Sequence, residues 1–360
     1  MKKLFLLLVS LSAVALGCER QETQEKTEGS ISLYVDNQVI LADGSYAATL
    51  TVTVMDKTGE EIDVTSDVEI FCEGFDEPLA ASAFTTSEAG VYTFYAISGF
   101  EISNTVTVKA IKGNLQLPED PNPSSSAFSH RMLLLQHTGT ECPNCPRLMT
   151  QLRYLANDPE YSSLYHHVAS HSYNNSDPAY TSDASSLSKN FDVSYYPWLT
   201  YNLTSTAEVD FDNIKASVDK LKQDSAAAGL SVSVDQDGKG VNANVSLKAG
   251  KSGKYRVAAW LLEDNIRAAQ SGADASWQNI HENCLRKMNG SNKTECIYGK
   301  NIGTLEAGAS KEFLVAFDLE NDWKAQNCKV FVIAVDAASY ELINCTVCGV
   351  GESVAYQYIN

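Results

Sequence analysis

The sequence predicts a multidomain chain that is all-β at its front, α/β in its middle and all-β again at its end. Three observations carry that prediction. At 360 residues the chain exceeds one typical domain and suits two or three. Runs that alternate, or stay apolar over strand length, fill residues 31–112 and return from Leu230 onward. Between them, residues 128–225 interleave strand-like runs with helical spacing, the pattern of an α/β layer.

Composition excludes several classes. Hydrophobic residues make up 44% and charged residues 20%, enough apolar content to bury cores. Lys+Arg 27 against Asp+Glu 45 gives a formal charge of −18, which argues against nucleic acid as a partner. No Ser-His-Asp constellation, H-E-x-x-H or Gly-rich phosphate loop is present, so no cofactor and no metal are expected. Nine cysteines suit a redox or secretory context.

The first 17 residues read as a signal peptide. Lys2 and Lys3 precede an apolar run from Leu4 to Leu16, too short for a comfortable membrane span. The run ends Ala15-Leu16-Gly17-Cys18, which resembles a bacterial lipobox. The resemblance implies cleavage before Cys18, acylation of its thiol with palmitate-type chains, and anchoring at the outer membrane on its periplasmic or surface face. The alternative is an ordinary signal peptide with an incidental cysteine. Residues 18–30 are polar and without apolar periodicity, and read as a tether.

Residues 31–112 follow as a β-sandwich candidate, with ATLTVTVMD, VYTFYAI and NTVTVKAI as strands and Asp56 to Gly59 as a turn. The run Ala89-Gly90-Val91-Tyr92-Thr93 is similar to bacterial immunoglobulin-like modules, which serve as spacers or binding units. Cys72 reads as a small buried hydrophobe. Residues 113–127 hold three prolines and three consecutive serines, and read as a linker.

In residues 128–225, HRMLLLQHT, LYHHVASHSY and WLTYNL are strand candidates. Helical spacing marks RLMTQLRYLA, ASSLSKNF and DFDNIKASVDKLKQ, the last with Asp210 as its N-cap. His166 and His167, adjacent on a strand, should point to opposite faces. Between the first strand and the first helix lies Thr138-Gly139-Thr140-Glu141-Cys142-Pro143-Asn144-Cys145-Pro146. Two cysteines three residues apart can share one helical turn and close a disulfide. Cys142 at the helix mouth would gain from the orphan N–H groups and the dipole, which lower a thiol pKa. It should be the more accessible thiol. Cys145, inside the first turn, should be the more buried and suit resolution of a mixed disulfide. Three readings stay open: a redox-competent pair, a passive disulfide, or half of a zinc site completed by Cys345 and Cys348 or by His137 or His171.

The strand–C-x-x-C–helix order, with Tyr195-Tyr196-Pro197 further on, resembles thioredoxin-like proteins. The resemblance implies a cis Tyr196–Pro197 bond, with both residues lining a substrate groove beside Cys142. It departs from the thioredoxin pattern in Pro143-Asn144 between the cysteines, in Glu141 where a tryptophan is usual, and in the long insertion from Ser172 to Ser182. A carboxylate beside a thiolate opposes a lowered pKa.

Residues 226–360 read as a second β-sandwich interrupted by one long loop, Asn265 to Glu312. Cys284, Cys296, Cys328, Cys345 and Cys348 crowd it and are candidates for structural disulfides of open connectivity. The loop sequence SWQNIHENCLRKM, with His281, Leu285 and Arg286, is similar to the outer-membrane-protein-28-related lipoproteins of Bacteroidota. So is the later LVAFDLENDWKAQNCKVFVIAVDAA. The resemblance covers roughly residues 128–348 and implies architecture more than activity; Cys284, before Leu285, departs from the family pattern and makes a Cys284–Cys296 disulfide plausible. Two functions are expected from these readings. One is thiol–disulfide exchange on exported protein thiols, with Cys142 attacking and Cys145 resolving. The other is a non-catalytic surface lipoprotein that binds an envelope partner and keeps a structural disulfide.

Overall fold

The computed structural model describes residues 30–206, 210–238 and 240–359. The signal peptide, Cys18 and nearly all of the tether lie outside the described residues. No helix among those described is long and apolar enough to cross a membrane.

The chain is β-rich. The front segment forms two facing sheets. One contains Ile31–Val35, Ala48–Met55, Glu61–Asp63 and Ala83–Phe84; the other is built on Val106–Ile111, Gly90–Ser98 and Glu69–Cys72. Alternation sends Leu33, Leu50, Val52, Phe94, Ala96 and Val108 inward to a common core. Cys72 is buried in that core with a free thiol.

Residues 113–127, expected as a linker, are instead seated on the C-terminal segment. Leu115 is buried against Ile111 and Leu314. Asn242 and Asn244 donate side-chain hydrogen bonds to the carbonyls of Lys112 and Leu115. Lys248 reaches both Asp120 and the Pro123 carbonyl at 2.8 Å. Prolines removed N–H groups from this stretch, but its carbonyls still needed donors, and side chains of the interior strand Gly240–Ala249 supply them.

The middle segment builds β1 (Met132–Thr138), α1 (Cys145–Asn157), β2 (Tyr165–His171), α2 (Ser182–Asn190), β3 (Trp198–Tyr201) and α3 (Phe211–Leu221). β1 lies centrally, parallel to β2 and antiparallel to β3. Every residue of β1 is buried, which explains its near-continuous apolar run. Leu148, Leu152 and Leu155 on α1, with Ile214 and Val218 on α3, close over one face. The side chains of Thr181 and Asp210 cap α2 and α3 by accepting from Ala184 N and Asn213 N.

The sheet does not end at residue 225. β2 pairs in parallel with β4 (Cys284–Met288), which pairs antiparallel with β5 (Gly253–Glu263). A further strand, β6 (Cys328–Asp336), then β7 (Leu342–Gly349), with Ser205–Thr206 beside β3 and Lys300–Leu305 beside β5, complete a nine-stranded sheet. Leu133, Leu135, Val168 and Leu187 therefore share one core with Trp260, Leu262, Leu285 and Phe331. The division expected at 225/226 is no break between cores. On the opposite face, Ala259, Leu261, Val330 and Val332 meet a four-stranded sheet formed by Ala228–Asp237, Gly240–Ala249, Ser310–Asp318 and Ser353–Val354.

Candidate functional site

Cys142 and Cys145 are joined as a disulfide, with Cα atoms 5.4 Å apart. Cys145 is the first residue of α1 and Pro146 the second, where a missing N–H leaves no intrahelical bond unmade. Cys142 stands one turn ahead, and its carbonyl accepts from Cys145 N at 3.2 Å. A thiolate formed at Cys142 would face the positive end of α1. Glu141 is turned to the insertion, where Asn174 and Ser176 donate to its carboxylate.

The Tyr196–Pro197 peptide is cis, the isomer the sequence predicts. Tyr196 and Pro197 line a cavity of about 610 Å³ together with Pro143, Asn144 and Arg147. The remaining wall includes Gly272 and Asp274, from far along the chain.

Those two residues belong to a strap, residues 264–283, whose arms Ile266–Arg267 and Ile280–His281 pair antiparallel. The strap corrects one expectation. Cys142 is 1% exposed and Cys145 0%, so neither sulfur is open to solvent. Gln270 lies against the disulfide loop, and its amide donates to Cys142 O at 2.9 Å and Gly139 O at 3.3 Å. Ser271 N donates to Thr140 O at 2.7 Å. Gly272 has φ +71° and packs so closely on Pro143 O that a Cβ would collide with it. Gln278 donates to Pro146 O at 3.1 Å and accepts from Asp274 N and Ala275 N, which ties the strap to α1 and to itself.

Beneath this loop sits a buried polar cluster that sequence reading missed. Asp177 accepts from His171 Nδ1 at 2.8 Å, Thr140 N at 2.7 Å and Ala179 N at 2.8 Å. His281 of the strap meets His171 edge to face, with ring centroids 5.0 Å apart. Burial alone would raise the Asp177 carboxyl; the His171 bond and the two backbone donors overcome it and hold it at about 2.

Burial favours the neutral form of three further histidines. Burial lowers His130 to about 4, His137 to about 3 and His281 to about 4. The folded chain keeps these imidazoles neutral, whereas the unfolded chain protonates them near pH 6.5. Their contribution to stability is thus fully present above that pH. It is lost as pH falls through 6 towards 4, at up to about 1.4 kcal/mol per pH unit for each histidine. The urea midpoint at pH 5 is expected to lie well below that at pH 7.5; equal midpoints would contradict this. His166 and His167 do face opposite sides, His166 towards the ring of Phe331 and His167 towards Gln136.

The remaining cysteines correct another expectation. Cys284, Cys296, Cys328, Cys345 and Cys348 are all free thiols, and no second disulfide is present among the described residues. Cys284 packs with Ala179 and Ile266, while the Cys296 sulfur contacts Gly290 O, so the Cys284–Cys296 pairing is not formed. Cys345 and Cys348, three apart on β7, point into opposite cores and cannot act as one ligand pair with Cys142 and Cys145. Burial raises the thiols of Cys328, Cys345 and Cys348, the last to about 12. These are packing residues.

The motif residues Arg286 and Leu285 also have structural roles. Leu285 is in the shared core. Arg286 is buried, pairs with Glu263 at 2.7 Å, donates to Pro178 O and lies over the Trp323 ring.

No protein-family model and no curated protein matches the chain. Among solved structures, HBP35 of Porphyromonas gingivalis is similar at 15% identity and a TM-score of 0.53, over 65% of this chain and 79% of that one. A domain of the outer membrane lipoprotein Omp28 from Porphyromonas gingivalis aligns at 17% identity over 35% of this chain and 88% of that one, with a TM-score of 0.24. The first likeness is one of fold alone; the second superposes too poorly to bear on it.

Proposed function

We propose that the chain is a lipid-anchored protein of the bacterial cell envelope, attached through Cys18, whose Cys142–Cys145 disulfide exchanges with thiols of exported proteins. The observation that carries this reading is the disulfide at the mouth of α1, whose intervening residues Pro143 and Asn144 line one cavity with the cis Tyr196–Pro197 turn. That arrangement supports a thioredoxin-like reading. A substrate thiolate attacks the Cys142 sulfur, the Cys142–Cys145 bond breaks, and Cys145 leaves as a thiolate. Cys145 then re-forms the bond by displacing the substrate, or a second substrate thiol completes its own oxidation and leaves both cysteines reduced.

A second reading is favoured by one specific observation, the burial of both sulfurs beneath the strap. In it the disulfide is structural, and the strap surface serves an envelope partner. Trapping separates the two. Cys145→Ser is expected to accumulate mixed disulfides through Cys142 in cells, visible as reductant-sensitive bands, and Cys142→Ser to give none. Absence of any adduct from Cys145→Ser would favour the structural reading. For the anchor, Cys18→Ser is expected to release the protein from the membrane fraction or block its maturation.

A further inference from the structure

The strap's hold on the disulfide loop runs through a short hydrogen-bonded series. Gln270, which donates to Cys142 O and Gly139 O, has its own N–H on Asn279 Oδ1 at 2.8 Å, and Asn279 O accepts from Ala268 N at 3.1 Å. Two residues on, His281 pairs with Ile266 across the strap, and its Nε2 donates to Ala268 O at 3.2 Å. A carbonyl can only accept, so Nε2 carries the proton and Nδ1 is the atom left to titrate. His281 is buried, and its ring rests edge to face on His171, 5.0 Å between centroids. His171 in turn is bonded through Nδ1 to Asp177, which also takes Thr140 N of the disulfide loop. One imidazole therefore stands between the strap and the cluster that supports that loop.

No countercharge waits for a second proton on His281. Asp177 is committed, its Oδ2 to His171 and Thr140 N and its Oδ1 to Ala179 N. Glu282, next in the strap, accepts from Asn265 N at 3.0 Å. Asp264 accepts from Asn283 N at 2.6 Å and pairs with Lys329 at 2.5 Å. The other titratable or charged groups lining the same cavity as His281 are Tyr165, His166, His167 and His171 of β2 and Arg153 of α1, and none is an anion at neutral pH. An imidazolium here would lose its hydration without gaining a partner. Burial first, and then His171, lower His281 to about 4; Asp177, behind His171, offsets this only in part. Lifting the strap returns the ring to water, where about 6.5 is usual.

We propose that His281 is a proton-operated release for the strap. Neutral, it seats on His171 and holds Gln270 against the disulfide loop; protonated, it leaves for water and uncovers Cys142–Cys145. The closed strap is favoured fully above about pH 6.5 and progressively less as pH falls towards 4. As regulation of exchange the device rests on the exchange reading, but the opening itself can be measured without it.

The test is reduction of Cys142–Cys145 in the full chain by tris(2-carboxyethyl)phosphine at pH 7.5 and pH 5. Alkylated Cys142 and Cys145 are read by peptide mass spectrometry, and each rate is divided by that for oxidised glutathione at the same pH. The normalised rate is expected to rise about ten- to thirtyfold at pH 5, the upper figure following from a ring that titrates near 4 when closed and about 6.5 when open. His281→Gln keeps a donor for Ala268 O but cannot be protonated, and its normalised rate is expected to change less than about threefold between the two pH values. Should it fail to fold, His281→Phe, which keeps a ring against His171, takes its place. A flat rate in the parent would overturn the proposal. So would an acceleration that the variant retains, which would instead mean general acid destabilisation through histidines such as His130 and His137. Exchange is judged separately, by adducts from Cys145→Ser. With adducts present, a flat parent rate removes the device alone; with none, an acid-dependent rate that His281→Gln abolishes still upholds the release.

Discussion

Gln270→Ala is expected to make the Cys142–Cys145 disulfide reducible by dithiothreitol about ten- to a hundredfold faster. The reductant cannot reach sulfurs that are 0–1% exposed, so reduction waits on the strap lifting. Gln270 bridges strap and disulfide loop through two carbonyls, those of Gly139 and Cys142. At about 1 kcal/mol for each bond, their loss shifts the opening equilibrium by that factor. Where opening and closing are fast, the observed rate follows the open population. Gly272→Ala should act in the same direction by another route, since a Cβ there collides with Pro143 O and φ +71° disfavours it. Thiol release measured against time in the parent and both variants checks this. Unchanged rates in both would mean that the strap does not control access.

Glu263→Ala is expected to cost about 3–5 kcal/mol of stability, the largest effect of any single change considered. Glu263 and Arg286 are 2% and 4% exposed, and their bond at 2.7 Å is buried. Glu263 also accepts from Lys324 N at 2.8 Å with its other oxygen. Removing the carboxylate leaves a guanidinium in a dry site, held by one carbonyl and the Trp323 ring. Glu263→Leu combined with Arg286→Met should cost far less, because neither charge is then stranded. Urea denaturation followed by circular dichroism gives both numbers. A loss below about 1 kcal/mol in Glu263→Ala would show that water reaches the pair.

Local signals were legible where the determining contacts are local. The apolar run at Met132–Thr138, the spacing of Leu148, Leu152 and Leu155, and Asp210 as a cap each act within a few residues. Cys142, Cys145, Tyr196 and Pro197 were nominated from one short motif and one dipeptide, and the fold brings the two stretches to one cavity. The strap was not legible. Gln270 and Gln278 are uncharged, lie in a loop without periodicity, and meet partners about 130 residues earlier in the chain. Asp177 was likewise hidden inside an insertion that looked only like excess length. The disulfide expectation for the last segment failed for a different reason. Counting thiols and inferring an oxidising compartment says nothing about the face each one occupies. Cys345 and Cys348 are divided between two cores by the two-residue period of their strand. The sheet that runs across residue 225 was not legible because β4 joins the earlier strands through a single register pair, Ala169 with Cys284, far apart in sequence.

The central claim is that Cys142–Cys145 is a working exchange site kept under a strap. Reduction of insulin disulfides by the full chain carrying Gln270→Ala, with dithiothreitol as electron donor, tests it most directly. The account predicts catalysis above the rate of dithiothreitol alone, abolished when Cys142→Ser is added and slower in the parent chain. A Gln270→Ala protein whose disulfide is demonstrably reduced, yet which leaves insulin no faster to precipitate than dithiothreitol by itself, would contradict the claim.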